Sequence, residues 1–123
     1  MNDLLLKQYI GLIECNNEEI SILANTSAFI MQNFQDISWA GFYLFKNNEL
    51  ILGPFQGKIA CTNIPLDKGV CGKAASTRKT VIVEDVHQFA GHIACDSESN
   101  SEIVIPLIKG NQLYGVLDLD STS

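Results

Sequence analysis

Positive charge is scarce in this chain. Lys and Arg number 8 against 14 Asp and Glu, a formal net charge of −6. The few basic residues are scattered, which argues against the clustered positive footprint of a nucleic-acid interface. No apolar run approaches the roughly 20 residues that a membrane-spanning helix needs. The start, with Asp3 ahead of Leu4-Leu5-Leu6, has neither the basic beginning nor the cleavage pattern of a secretory leader. A cytoplasmic protein that engages neither membrane nor nucleic acid is therefore expected. No low-complexity tract or linker breaks the 123 residues, so residues 1–123 are expected to form a single domain around one core.

Periodicity divides the chain. Asp3 to Glu14 reads as a short helix stopped by Asn16-Asn17. Glu18 to Phe34 reads as a longer one, with Ile20, Leu23, Ala24, Ser27, Ala28, Ile30, Met31 and Phe34 on one face. The aromatic run Trp39 to Phe45 is strand-like, Asn47-Asn48 signals a hairpin, and Glu49 to Gly53 returns. Lys58 to Ile64 is a third strand candidate. A short helix runs from Asp67 through Ala75, and Thr80 to Val83 is a short strand. Glu84 to Ser101 shows no period and is long for a loop in a compact domain. Glu102 to Lys109 and Gln112 to Leu119 make two more strands about a Gly110-Asn111 turn. The expected class is α+β: about six antiparallel strands with helices on one face.

Four cysteines remain to be explained. A lasting structural disulfide is not expected in a reducing compartment. Cys15 sits at a helix end and reads as incidental. The others lie in glycine-linked phrases: Gly57-Lys58-Ile59-Ala60-Cys61, Gly69-Val70-Cys71-Gly72 and Gly91-His92-Ile93-Ala94-Cys95, the first and third near-copies. Thiols in separate loops beside carboxylates point to redox chemistry. A zinc site from Cys61, Cys71, Cys95, His87 and His92 is disfavoured, because its one close pair is His92-x2-Cys95. No metal and no cofactor is expected. Asp118 and Asp120 lie two apart on a strand, and Trp39 and Tyr43 four apart, so each pair shares a face.

These phrases resemble the GAF-domain free methionine-(R)-sulfoxide reductases. The matching stretches are Ser38 to Tyr43, Leu52 to Cys61, Gly69 to Gly72, Glu84 to His87, Gly91 to Asp96, Ser99 to Val104 and Gly115 to Ser121. The resemblance covers about residue 18 to the end. It implies a GAF-like fold and reduction of free L-methionine-(R)-sulfoxide, with recycling by thioredoxin and a homodimer whose contacts involve the first helices. The family usually continues into a C-terminal helix, beyond the point at which this chain ends, Ser123.

That chemistry needs a thiolate to attack sulfur, an acid to protonate the departing oxygen, and a second thiol to resolve the oxidised cysteine. The resemblance makes Cys95 the nucleophile and Cys61 the preferred resolving thiol. Cys71, at the mouth of a short helix whose N-terminus favours a thiolate, is an alternative partner, and the spacing alone leaves both open. Glu102, Asp118 and Asp120 are the candidate carboxyl groups. One or two would hold the substrate ammonium, and one, with Glu102 preferred, would be the acid, kept neutral by its crowded neighbours. Trp39 and Tyr43 would wall the pocket, and backbone N–H groups of Gly91 to Cys95 would receive the substrate carboxylate. The rival readings are a GAF small-molecule sensor and a thiol redox sensor, both without turnover.

Overall fold

The computed structural model describes residues 3–15, 17–86 and 100–122. Within them the chain order is α1 (Asp3–Glu14), α2 (Glu19–Asn33), β1 (Ile37–Lys46), β2 (Glu49–Gln56), β3 (Asn63–Pro65), α3 (Gly69–Thr77), β4 (Val81–Val83), β5 (Ser101–Lys109) and β6 (Gln112–Ser121). The strands form one six-stranded antiparallel sheet in the order β3-β2-β1-β6-β5-β4. Asn47 and Asn48 adopt left-handed φ values of 55° and 62°. That pair of positive φ angles matches the right-handed twist of a two-residue hairpin and is well tolerated by asparagine. It joins β1 to β2 as the sequence suggests.

The two central strands, β1 and β6, come from opposite halves of the chain. Their pleat gives the sheet two different faces. Trp39, Tyr43, Val104 and Val116 pack with Val70, Cys71, Ala74 and Ala75 of α3 in one buried cluster. Ala40 and Phe42, of opposite parity on β1, are also buried and point to the other face. There α2 lies against β1 and β2, and the Ser27 hydroxyl reaches the Leu23 carbonyl at 2.9 Å and the Pro54 carbonyl at 3.3 Å. α1 rests on α2 through Tyr9, whose ring centroid is 5.3 Å from that of Phe29 and whose hydroxyl is 2.9 Å from Thr26 Oγ1. The expectation of helices on one face thus describes α1 and α2, while α3 lies across the opposite face. Small residues at i, i+1, i+4 and i+5 of α3 permit its close approach.

The third strand is shorter than the Lys58 to Ile64 run expected. The reason lies in where its carbonyls go. Lys58 O accepts from Trp39 Nε1 at 2.9 Å, and Cys61 O accepts from the Tyr43 hydroxyl at 2.8 Å. Backbone acceptors engaged by side chains are not offered to a ladder, so hydrogen bonding to β2 starts only at the Thr62 carbonyl, which accepts from Leu52 N at 2.9 Å, and residue pairing at Asn63.

Candidate active site

Strand register assembles the candidate residues in rows. Trp39 on β1 pairs with Asp120 on β6, and Asp120 pairs with Glu102 on β5. One row along, Gly41 pairs with Asp118 and Asp118 with Val104. A further row joins Tyr43, Val116 and Pro106. Residues in register share a face, and Val104 and Val116 mark it as the face beneath α3. Glu102, Asp118, Asp120, Trp39 and Tyr43 therefore converge. A bulge between Leu107 and Ile108 is required for this. Without it the register set by Lys109 and Gln112 would place Glu102 opposite Leu119, and a one-residue slip sends a side chain to the other face.

The aromatic wall is a three-ring stack. The Trp39 ring lies 6.0 Å from that of Tyr43 and 5.2 Å from that of Phe55, with interplanar angles of 22° and 15°. Sequence reasoning singled out Trp39 and Tyr43 but not Phe55 or Gly41. Gly41 leaves the space the stack needs: a Cβ there would sit 2.7 Å from Trp39 Cη2 and collide with Phe55 Cβ. A glycine inside an aromatic strand run was the available signal. Gly41→Ala is expected to destabilise the protein by about 1–3 kcal/mol through overpacking. A urea midpoint unchanged from wild type would contradict this account of the stack.

Asp118 is 5% exposed, and its Oδ1 has no hydrogen-bond partner among the described residues. Burial, then the like charges of Glu102 and Asp120, push its carboxyl well above the ordinary carboxylate range. Cys71 Sγ donates to Glu102 Oε2 over 3.8 Å. Burial, then Asp118, Glu102 and Asp120, push this thiol far up as well. A helix N-terminus would favour a thiolate at Cys71 if the residue lay in the first turn. Cys71 does lie in the first turn of α3, but a helix terminus contributes about 0.3–1 kcal/mol, against several kcal/mol for stripping water from a charge. Desolvation outweighs the helix terminus, so burial favours the protonated form of the Cys71 thiol. The Tyr43 hydroxyl is likewise raised, mostly by burial, and stays a donor to Cys61 O.

Cys61 is disulfide-bonded, while Cys15 and Cys71 are free thiols. Cys95, His87, His92 and the backbone of Gly91 to Cys95 lie outside the described residues. Sγ of Cys71 and one oxygen from each of Glu102 and Asp118 lie within 4.8 Å of one another, so these three are the described residues able to share an ion. Chemically the site offers a carboxyl group that burial biases toward its protonated form, two neighbouring acidic side chains, an aromatic wall and a disulfide whose segment is tied to that wall.

The model of the GAF domain family matches residues 18–123. The free methionine-R-sulfoxide reductase of Escherichia coli (strain K12) is 52% identical over 118 residues, which cover 96% of this chain and 72% of that protein. The structure of fRMsr of Staphylococcus aureus in its reduced form superposes with a TM-score of 0.93 at 56% identity, covering 97% of this chain and 77% of that one. The free methionine-R-sulfoxide reductase of Neisseria meningitidis, solved in complex with its substrate, gives a TM-score of 0.93 at 44% identity over 96% of this chain and 71% of that one. With a GAF model covering most of its length and relatives about half identical to it, the chain belongs to the GAF-domain free methionine-R-sulfoxide reductase family.

Proposed function

We propose that this chain reduces free L-methionine-(R)-sulfoxide to methionine, with two of its own thiols as the immediate reductant and thioredoxin as the recycling partner. The observation that carries the reading is the convergence of Glu102, Asp118 and Asp120 with Trp39 and Tyr43 on one buried sheet face. A solvated set of strand-end charges has no reason to be drawn under a helix. A site for a zwitterion that must be protonated during reaction does.

In this reading the Cys95 thiol takes the sulfoxide oxygen. Methionine leaves, and Cys95 becomes a sulfenic acid. Cys61 then attacks that sulfur, water departs, and a Cys61–Cys95 disulfide remains; two thiols have supplied the two electrons and two protons that the oxygen carries away as water. The disulfide-bonded state of Cys61 supports its role as the resolving thiol. The burial of Cys71 as a protonated, free thiol argues against Cys71 in that role.

Glu102 is the one carboxyl of the three that is only half-buried, which supports giving it the role of the acid that meets the substrate oxygen. Asp118 keeps a proton within the cluster, and Asp120 holds the ammonium while Glu102 supplies the proton. The indole and phenol rings receive the thioether end. A cytoplasmic location suits a thioredoxin-dependent enzyme, and no helix among the described residues is long and apolar enough to cross a membrane. The exposed Leu4, Leu6, Ile10 and Leu12 of α1 support a homodimer contact there.

The test is turnover of the free R sulfoxide with thioredoxin as reductant, run beside the S epimer and an N-acetylated R substrate. Consumption of the free R form alone is expected, because acylation removes the ammonium that the carboxylates pair with. Binding without turnover would replace the reductase by a sensor, and equal use of the N-acetylated form would remove the ammonium site.

A further inference from the structure

A thiol and two carboxyl groups meet beneath α3. Cys71 Sγ and Glu102 Oε2 are 3.8 Å apart, and Cys71 Sγ, one Glu102 oxygen and one Asp118 oxygen all lie within 4.8 Å of one another. A tetrahedral zinc ion, with Zn–S about 2.3 Å and Zn–O about 2.0–2.2 Å, spaces a sulfur and an oxygen ligand at roughly 3.5 Å. The Cys71–Glu102 pair already stands near that spacing, and Asp118 is within side-chain adjustment of it. A second observation points to a ligand: the Asp118 carboxyl is buried to 5% exposure in this cluster with Oδ1 unpartnered among the described residues. A buried oxygen without a donor among the described residues is costly to leave unsatisfied, and a cation in the cluster would satisfy it. Glu102 is the partly exposed member of the three.

We propose that Cys71, Glu102 and Asp118 bind one thiophilic divalent cation of the zinc or cadmium class, and that this ion excludes the sulfoxide substrate, the second half resting on the reductase reading above. The donor set decides the class. Magnesium and calcium prefer all-oxygen shells, whereas a thiolate selects softer ions. Three protein ligands leave a fourth position for water, as in open zinc sites. Binding sends the Cys71 thiol proton and the Asp118 carboxyl proton to solvent. The ion would thus replace the proton that otherwise neutralises this cluster. Metal exposure would then silence the enzyme reversibly without touching Cys61 or Cys95.

The experiment is a Cd²⁺ titration of the oxidised protein, with Cys61 in its disulfide, carrying Cys15→Ser so that Cys71 is the free thiol left among the described residues. The readout is the ultraviolet thiolate-to-cadmium charge-transfer band. A band saturating at one equivalent is expected, absent in Cys71→Ser. Glu102→Gln and Asp118→Asn should each weaken affinity by at least the roughly 10–100-fold that loss of an outer-shell partner costs. Glu102→Gln changes a half-buried group, so it reports even if a core variant fails to fold. No band, a band surviving Cys71→Ser, or wild-type affinity in Glu102→Gln overturns the site. Adding free methionine-(R)-sulfoxide to the same titration should displace the metal. Simultaneous binding overturns the competitive half. Failure of the metal-free protein to bind sulfoxide, with the cadmium band intact, instead counts against the reductase reading and leaves the metal site standing.

Discussion

Glu102→Gln is expected to lower kcat for free methionine-(R)-sulfoxide by roughly 10²–10⁴-fold, the usual contribution of a positioned general acid. That corresponds to about 3–5 kcal/mol of barrier. The variant is a clean one. Glutamine keeps the shape and an oxygen to accept from Cys71 Sγ, whose contact with Glu102 is 3.8 Å long, but it has no proton to give. The register that puts Glu102 beside Asp120 and Trp39 is untouched. The deficit should appear in single-turnover release of methionine by pre-reduced enzyme, before thioredoxin takes part. A wild-type single-turnover rate would transfer the acid's role to Asp118 or Asp120.

Asp118→Asn should make the protein more stable at alkaline pH and nearly indifferent at acid pH. The folded-state carboxyl of Asp118 lies well above its ordinary value of 3.8, chiefly through burial and then through Glu102 and Asp120. The folded protein therefore keeps a proton that the unfolded chain releases. That contribution to stability is complete below the unfolded-state value and is lost as pH rises toward the folded-state value, at up to about 1.4 kcal/mol per pH unit. Asparagine carries no such liability, and its amide can donate to the acceptors around it. Urea denaturation of both proteins at several pH values between 4 and 8 measures the difference. The gap in favour of the variant should widen as pH rises above the unfolded-state value, and parallel curves would mean that the folded-state carboxyl is not raised.

Much of the site is legible in the sequence because strand parity is local. Trp39 with Tyr43, and Asp118 with Asp120, can be placed on common faces from period two alone, and the Asn47-Asn48 hairpin follows from the tolerance of asparagine for positive φ. Other features depend on distant partners. That Lys58 to Thr62 is not a strand depends on Trp39 and Tyr43, 18 or 19 residues earlier, donating to its carbonyls. The depth of Cys71 depends on α3 crossing the face opposite α2, which no periodicity in nine residues dictates. The Glu102–Asp120 pairing depends on the bulge at Leu107 and Ile108, for which the sequence carries no plain mark.

The placement of β6 between β1 and β5 has a kinetic consequence. β5 and β6 form a local hairpin, so Glu102 and Asp120 come side by side early, in water, where two charges repel weakly. Docking against β1 links Trp39 to Asp120 across about eighty residues of chain, and with the closure of α3 it removes the water. At that step burial comes to favour the protonated form of Asp118, so refolding is expected to take up a proton as the sheet closes, and a pH indicator followed during refolding checks the timing.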